Sequence, residues 1–203
     1  MKENTDSKGL VLVSDVIPDA VKEKQRLRLL AQEKIIQMSE ENRNAVDRKI
    51  IRRLLARPEY RSADTVFCFV GTEYEINTKP VLEQTLKDGK NLAVPRCSEN
   101  GQMDARLIHS LSELHPGRFG ILEPPASAPL AAAIGLSVIP CLSATPEGDR
   151  LGHGGGYYDR FLARFPKIPA VLLCREALLV EHLPTEKFDQ RISVVITENR
   201  VYP

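Results

Sequence analysis

Two periodicities alternate along this chain. Over residues 20–38, Leu27, Leu30, Ala31 and Ile35 recur at helical steps, and the spacing predicts an amphipathic helix with those residues on its inner face. Ser39 suits the N-cap of a second helix, in which Val46, Ile50 and Leu54 follow at four-residue steps and which stops before Pro58. The period then changes. Thr65-Val66-Phe67-Cys68-Phe69-Val70 is an unbroken apolar run, the mark of a strand covered on both faces. Residues 71–77 read as a loop. Thr78 opens a helix that carries Val81, Leu82 and Leu86 and closes at Gly89, and Asn91-Leu92-Ala93-Val94-Pro95 is a second strand. Strand, helix and strand joined by short loops predict a right-handed parallel crossover.

The alternation continues to the end of the chain. Residues 105–109 read as a further strand, residues 119–125 as irregular, and Leu136-Ser137-Val138-Ile139 as a strand leading into a glycine-rich loop. Tyr158, Phe161, Leu162 and Phe165 then predict a short helix, and residues 168–173 and 193–197 the last strands. This order implies a three-layer α/β/α sandwich around a mostly parallel sheet. At 203 residues the chain is read as one domain, with residues 1–19 as an N-terminal extension. Ligands of such sheets gather beyond the carboxyl ends of the strands, which collects the loops after Val70, Pro95 and Pro140 on one edge.

Charge and composition narrow the partners. Lys and Arg number 28 against 27 Asp and Glu, a net charge of +1, so nothing pulls the whole molecule toward nucleic acid or an anionic membrane. The many basic residues of the first two helices, among them Lys22, Arg26, Arg48 and Arg52, read as solvated faces without the interleaved aromatics that single-strand binding uses. No apolar run reaches membrane-spanning length and none near the start makes a signal-peptide core, so a cytoplasmic protein is expected; it is also expected to be a monomer. Cys68, Cys97, Cys141 and Cys174 are widely spaced and read as reduced, buried small hydrophobes. His109, His115, His153 and His182 have neither a nucleophile partner nor zinc-ligand spacing.

Candidate chemistry concentrates in Asp149-Arg150-Leu151-Gly152-His153-Gly154-Gly155-Gly156-Tyr157-Tyr158-Asp159-Arg160. A strand, a glycine-rich loop and a helix make a cradle for phosphate: glycines let backbone amides converge, and the helix adds the positive end of its dipole. Arginines beside it can add two-pronged, charge-assisted hydrogen bonds. It is not a Walker loop, since no Gly-Lys-Ser/Thr follows, and Tyr157 stands where the dinucleotide pattern needs its last glycine.

With these motifs in order, the sequence from about residue 22 onward resembles the 5-formyltetrahydrofolate cyclo-ligase family. The resemblance rests on Lys24-Gln25-Arg26-Leu27-Arg28, on Glu75-Ile76-Asn77-Thr78, on Gly120-Ile121-Leu122-Glu123-Pro124, on the glycine loop through Asp159-Arg160, and on Leu183-Pro184 with Asp189. It implies an α/β/α sandwich and an ATP- and magnesium-dependent conversion of 5-formyltetrahydrofolate to 5,10-methenyltetrahydrofolate, with release of ADP and phosphate. By the same resemblance Arg150 and Tyr157 serve the reaction. ATP is held by Lys24, Gln25, Arg28, Arg150, Leu151, Gly152, His153, Gly154, Gly155, Gly156, Tyr157 and Tyr158. The folate is held by Val70, Glu75, Phe119, His153, Gly154, Gly155, Gly156 and Tyr157, and magnesium by Asp159 and Asp189. Lys24 and Arg28, four apart, share one helix face and can reach one anion. The residues alone also admit a member of the same fold that holds folate or a nucleotide without turnover.

Overall fold

The computed structural model describes residues 19–98 and 100–203; the expected extension lies outside them but for Asp19. Helices α1 (Asp19–Gln37) and α2 (Glu40–Ala56) stand where the period predicted them. The Ser39 hydroxyl accepts the Asn42 amide at 3.2 Å and so caps α2. Pro58 ends α2, then opens a short helix the sequence reading missed, α3 (Pro58–Ser62), because proline is well suited to a first helical position. There follow β1 (Thr65–Cys68), α4 (Lys79–Lys87), β2 (Asn91–Cys97) and β3 (Met103–Ile108). Two short hairpins come next in sequence with a sheet strand between them: β4 (His115–Pro116) with β5 (Leu122–Glu123), then β6 (Leu136–Ile139), then β7 (Ser143–Ala144) with β8 (Arg150–Leu151). The chain ends with α5 (Tyr157–Arg164), β9 (Ala170–Leu173), β10 (Val194–Ile196) and β11 (Val201–Tyr202).

Seven strands form one sheet in the order β11-β10-β9-β6-β1-β2-β3. The five inner strands are parallel, and the edge strands β11 and β3 are antiparallel. All of β1 is buried, as its unbroken apolar run requires. The pleat sends its side chains to two cores. Val66 and Cys68 pack with Ile50 and Leu54 of α2 and with Val81 and Leu82 of α4. Phe67 packs with Ala31 and Ile35 of α1 and with Phe161 and Leu162 of α5. That is the α/β/α sandwich expected.

Several boundaries differ from expectation for physical reasons. β1 leaves the sheet after Cys68, two residues early, because the Phe69 carbonyl is taken by the Thr78 hydroxyl at 2.7 Å instead of a neighbouring strand. β2 runs on to Cys97 because β3 pairs with it as far as Met103. Residues 119–125 are not wholly irregular; they contain β5 and the end of the 3-10 turn Arg118–Gly120. Leu30 is 39% exposed, so it is not on the inner face of α1. The inner stripe is Lys24, Arg28, Ala31 and Ile35, whose last two members reach the core while the first two face a cleft. Cys68, Cys141 and Cys174 are buried free thiols, whereas Cys97 is half-buried. No helix among the described residues is long and apolar enough to cross a membrane.

The chain runs from β1 to β2 on one side, and β6 lies on the other. The strand order therefore reverses between β1 and β6, and the loops at their carboxyl ends splay apart there.

Candidate active site

A cleft of about 930 Å³ opens at that point. Its walls come from α1, from the loop after β1, and from the glycine loop and the start of α5; the segment containing Glu186 and Asp189 closes one side. Every site residue expected from the sequence lines it except Phe119, whose side chain lies outside the described set.

The hairpin β7–β8 delivers the chain to the glycine loop, with Ala144 opposite Arg150. Gly154 has φ +94° and Gly156 has φ +65°, the left-handed region that side chains resist. Gly156 is also the N-cap of α5, and no side chain caps the helix. Arg28 is what the loop closes on. Its Nε donates to the Gly152 carbonyl at 2.8 Å, and its Nη2 lies 3.1 Å from where a Cβ at Gly154 would be. The Tyr157 ring leaves no room for a Cβ at Gly155, which would fall 2.8 Å from it.

Two basic side chains in the cleft sit against carboxylates. Lys24 Nζ lies 2.7 Å from Asp189 Oδ2 and 2.7 Å from Glu186 Oε2. Burial alone would depress the Lys24 ammonium, but hydrogen bonds to Asp189 and Glu186 outweigh it and raise its pKa. Desolvation lowers the Arg28 pKa despite the nearby charge of Asp189, and an arginine stays charged all the same. Arg150, only 5% exposed at its side chain, sits 2.8 Å from Asp159 Oδ1. The contact lacks hydrogen-bond geometry, and Nε and Nη2 of Arg150 are buried without a hydrogen-bond partner. Buried guanidinium donors left unmet in a cleft suit an anion that completes them. Asp159 also accepts the amide of Gln190, the residue after Asp189, at 3.0 Å. So each residue pair expected to divide phosphate from metal, Lys24 with Asp189 and Arg150 with Asp159, is here joined.

Glu75 faces them from the loop after β1. It is 7% exposed; Oε2 accepts the Thr72 amide at 3.0 Å and Oε1 lies 3.3 Å from His153 Nε2. Tyr158 lines the same cleft. Burial first, then the charge of Glu75, raises its pKa well above the ordinary tyrosine value, so its hydroxyl stays protonated. Val70, Pro95, Met103, Ile121, Pro140 and Tyr157 give the cleft apolar wall. Sequence reasoning missed Glu186, Tyr74 and Arg118, all in the lining. Glu186 had a signal: it stands three residues before Asp189, and its amide donates to that carboxylate at 2.8 Å. Tyr74 and Arg118 adjoin the expected Glu75 and Phe119 but carry no pattern of their own.

A model of the 5-formyltetrahydrofolate cyclo-ligase family matches residues 19–198. The chain belongs to that family. It is 29% identical over 173 residues to the 5-formyltetrahydrofolate cyclo-ligase of Escherichia coli (strain K12), covering 81% of this chain and 94% of that one. Against the mouse (Mus musculus) 5-formyltetrahydrofolate cyclo-ligase it is 24% identical over 193 residues, covering 87% and 90%. Among solved structures, the 5,10-methenyltetrahydrofolate synthetase of Aquifex aeolicus superposes with a TM-score of 0.78 at 31% identity, covering 88% of this chain and 91% of that one. The synthetase of Mycoplasma pneumoniae shares the fold, with a TM-score of 0.68 at 18% identity. Membership makes the protein a ligase of folate one-carbon metabolism.

Proposed function

We propose that this member of the cyclo-ligase family converts 5-formyltetrahydrofolate to 5,10-methenyltetrahydrofolate with ATP, releasing ADP and phosphate. One observation carries the reading. The glycine loop, closed by Arg28, and the buried carboxylate of Glu75 share a single cleft and meet where His153 lies 3.3 Å from Glu75. A phosphate-binding half and a half suited to a heterocycle's N–H edge thus adjoin.

The chemistry needs such a border. A formamide carbon is unreactive and its oxygen leaves poorly. If the formyl oxygen attacks the γ-phosphorus, the bond from that phosphorus to ADP breaks and a phosphorylated formyl group results. The folate nitrogen at position 10 then adds to the formyl carbon, and its proton passes to the departing phosphate. The carbon–oxygen bond breaks, and phosphate departs with the former formyl oxygen. No protein nucleophile is required; phosphoryl transfer is mostly positioning and charge neutralisation. In this reading Arg28, Arg150, Lys24 and the amides of residues 152–156 hold the phosphates, and Gln25, Leu151 and Tyr158 border them. Glu75 accepts from the pterin N–H groups, and Tyr157, Val70 and Phe119 bound the flat rings.

Magnesium fits as the nucleotide's companion. Among the described residues no three His, Cys, Asp or Glu side chains gather as a metal cluster. The ion usually takes one or two carboxylates and completes its shell with phosphate oxygens and water. In this reading Asp159 and Asp189, which both line the cleft, are the two carboxylates. Bound there, the ion would neutralise phosphate charge.

The test follows the oxygen. With a heavy-oxygen label in the formyl group, mass spectrometry of the phosphate released on turnover should find the label. Product formed with label-free phosphate would contradict the phosphorylated formyl group.

A further inference from the structure

We infer that the buried Arg175–Asp47 pair is a positioning device for Glu75 and sets the affinity for the formylated folate through it; the inference rests on the proposed role of Glu75. Neither residue lines the cleft. Arg175 follows β9 and is 2% exposed, and Asp47, on the inner side of α2, is 4% exposed. Their contact is two-pronged: Arg175 Nε donates to Asp47 Oδ1 at 2.8 Å and Nη2 to Oδ2 at 3.0 Å.

The pair's further hydrogen bonds go to the backbone of the loop after β1. Arg175 Nη2 donates to the Glu75 carbonyl at 2.8 Å and Nη1 to the Tyr74 carbonyl at 3.3 Å. Asp47 Oδ2 accepts the Asn77 amide at 3.0 Å. Two residues 128 apart in sequence thereby grip the loop at three points around Glu75.

Stability alone does not account for such a pair. Desolvation offsets much of the Coulomb gain of a buried ion pair, and apolar side chains of like volume often serve the fold equally well. Apolar side chains cannot meet the buried Glu75 carbonyl or the part-buried Tyr74 carbonyl and Asn77 amide. The loop's internal bonds, Thr72 amide to Glu75 Oε2 and Glu75 amide to Thr72 carbonyl, fix the carboxylate relative to the loop. They do not fix the loop relative to the sheet. The Thr78 hydroxyl anchors the loop at its base, bonding Gly71 and Phe69, and Arg175 with Asp47 anchors the part that carries the carboxylate. Lysine would keep the charge but not the planar fork that reaches Asp47 and both carbonyls together.

The experiment is a double-mutant cycle read by calorimetric binding of 5-formyltetrahydrofolate and, separately, of ATP with magnesium. Arg175→Lys is expected to weaken folate binding about tenfold and ATP binding by less than about twofold. In the Glu75→Gln background the same change should cost folate binding less than about twofold, since the carboxylate it positions is gone. An undiminished loss in that background, or equal losses for both ligands, would make the pair a general support of the fold and overturn the inference. Unchanged folate affinity in Glu75→Gln alone would instead remove Glu75 from the site, and the inference with it. Should Arg175→Lys fail to fold, the neutral variant Asp47→Asn/Arg175→Gln leaves no uncompensated charge and is read in the same way.

Discussion

Arg28 is the side chain that joins α1 to the glycine loop, through the Gly152 carbonyl and the space a Cβ at Gly154 would take. Removing a cation that neutralises transferring phosphate is costly, so Arg28→Ala should lower kcat/KM on the order of a hundredfold or more; steady-state kinetics with less than about a threefold loss would take Arg28 out of the phosphate site. Gly154→Ala meets both a left-handed φ of +94° and the Arg28 guanidinium. It should destabilise the fold by only about 1–2 kcal/mol while ATP affinity falls well beyond that proportion, as thermal unfolding and calorimetry would show. Cys97 offers a pH test. Burial, helped by the charge of Glu123, raises its thiol to about 11, against an ordinary value of 9.0. Alkylation by iodoacetamide should thus be slow at pH 8, keep rising with pH past 9, and slow further with ligand in the cleft, because Cys97 lines it. A rate that levels near pH 9 would contradict the burial. Lys24 is shifted upward too, so its pairing is present throughout the neutral range and is lost only as pH climbs through its raised value. Lys24→Met should flatten the alkaline decline of the melting temperature without adding a new transition near pH 7.

The loop after β1 is the element on which the site turns. Thr78, fully buried, bonds the Phe69 carbonyl and the Gly71 amide, and a Cβ at Gly71 would fall 2.1 Å from the Ile76 carbonyl oxygen. Thr78→Val, which takes the hydroxyl from the buried Phe69 carbonyl and the part-buried Gly71 amide, should cost about 1–3 kcal/mol in denaturant unfolding. It should weaken folate binding more than ATP binding. Equal effects on the two ligands would show that the loop does not favour the folate half. This loop also marks where the sequence stopped being legible. The apolar run from Thr65 to Val70 announced a buried strand, but its end is set by a hydroxyl nine residues ahead, which no local pattern displays. β4, β5, β7 and β8, two residues each, have no period to read. The inner stripe of α1 was half legible: Ala31 and Ile35 fit an apolar face, and Leu30 was grouped with them by the same spacing. Spacing put Lys24 and Arg28 on one face; that this face continues the stripe of Ala31 and Ile35 became visible only with the cleft in place.

At the scale of the whole molecule, the alternation of periods was enough for the layers and the mostly parallel sheet, because strands covered on both faces leave long apolar runs. The edge strands, the strand order and the reversal between β1 and β6 depend on long-range pairing. The expected site residues were recognised by motif, and the structure brings all of them but Phe119, whose side chain lies outside the described set, into one cleft. What motif could not supply is their pairing: Lys24 with Asp189 and Glu186, Arg150 with Asp159, and the Arg175–Asp47 grip beneath Glu75. Each joins residues far apart in sequence except Arg150 with Asp159. The central claim is that the phosphate-binding and folate-binding halves work as one active site. The direct measurement is the absorbance of methenyltetrahydrofolate when the purified protein is mixed with 5-formyltetrahydrofolate, magnesium and ATP, beside a mixture without ATP. Absorbance that grows only with ATP, in step with released phosphate, is the predicted result; folate binding with no ATP-dependent product would contradict it.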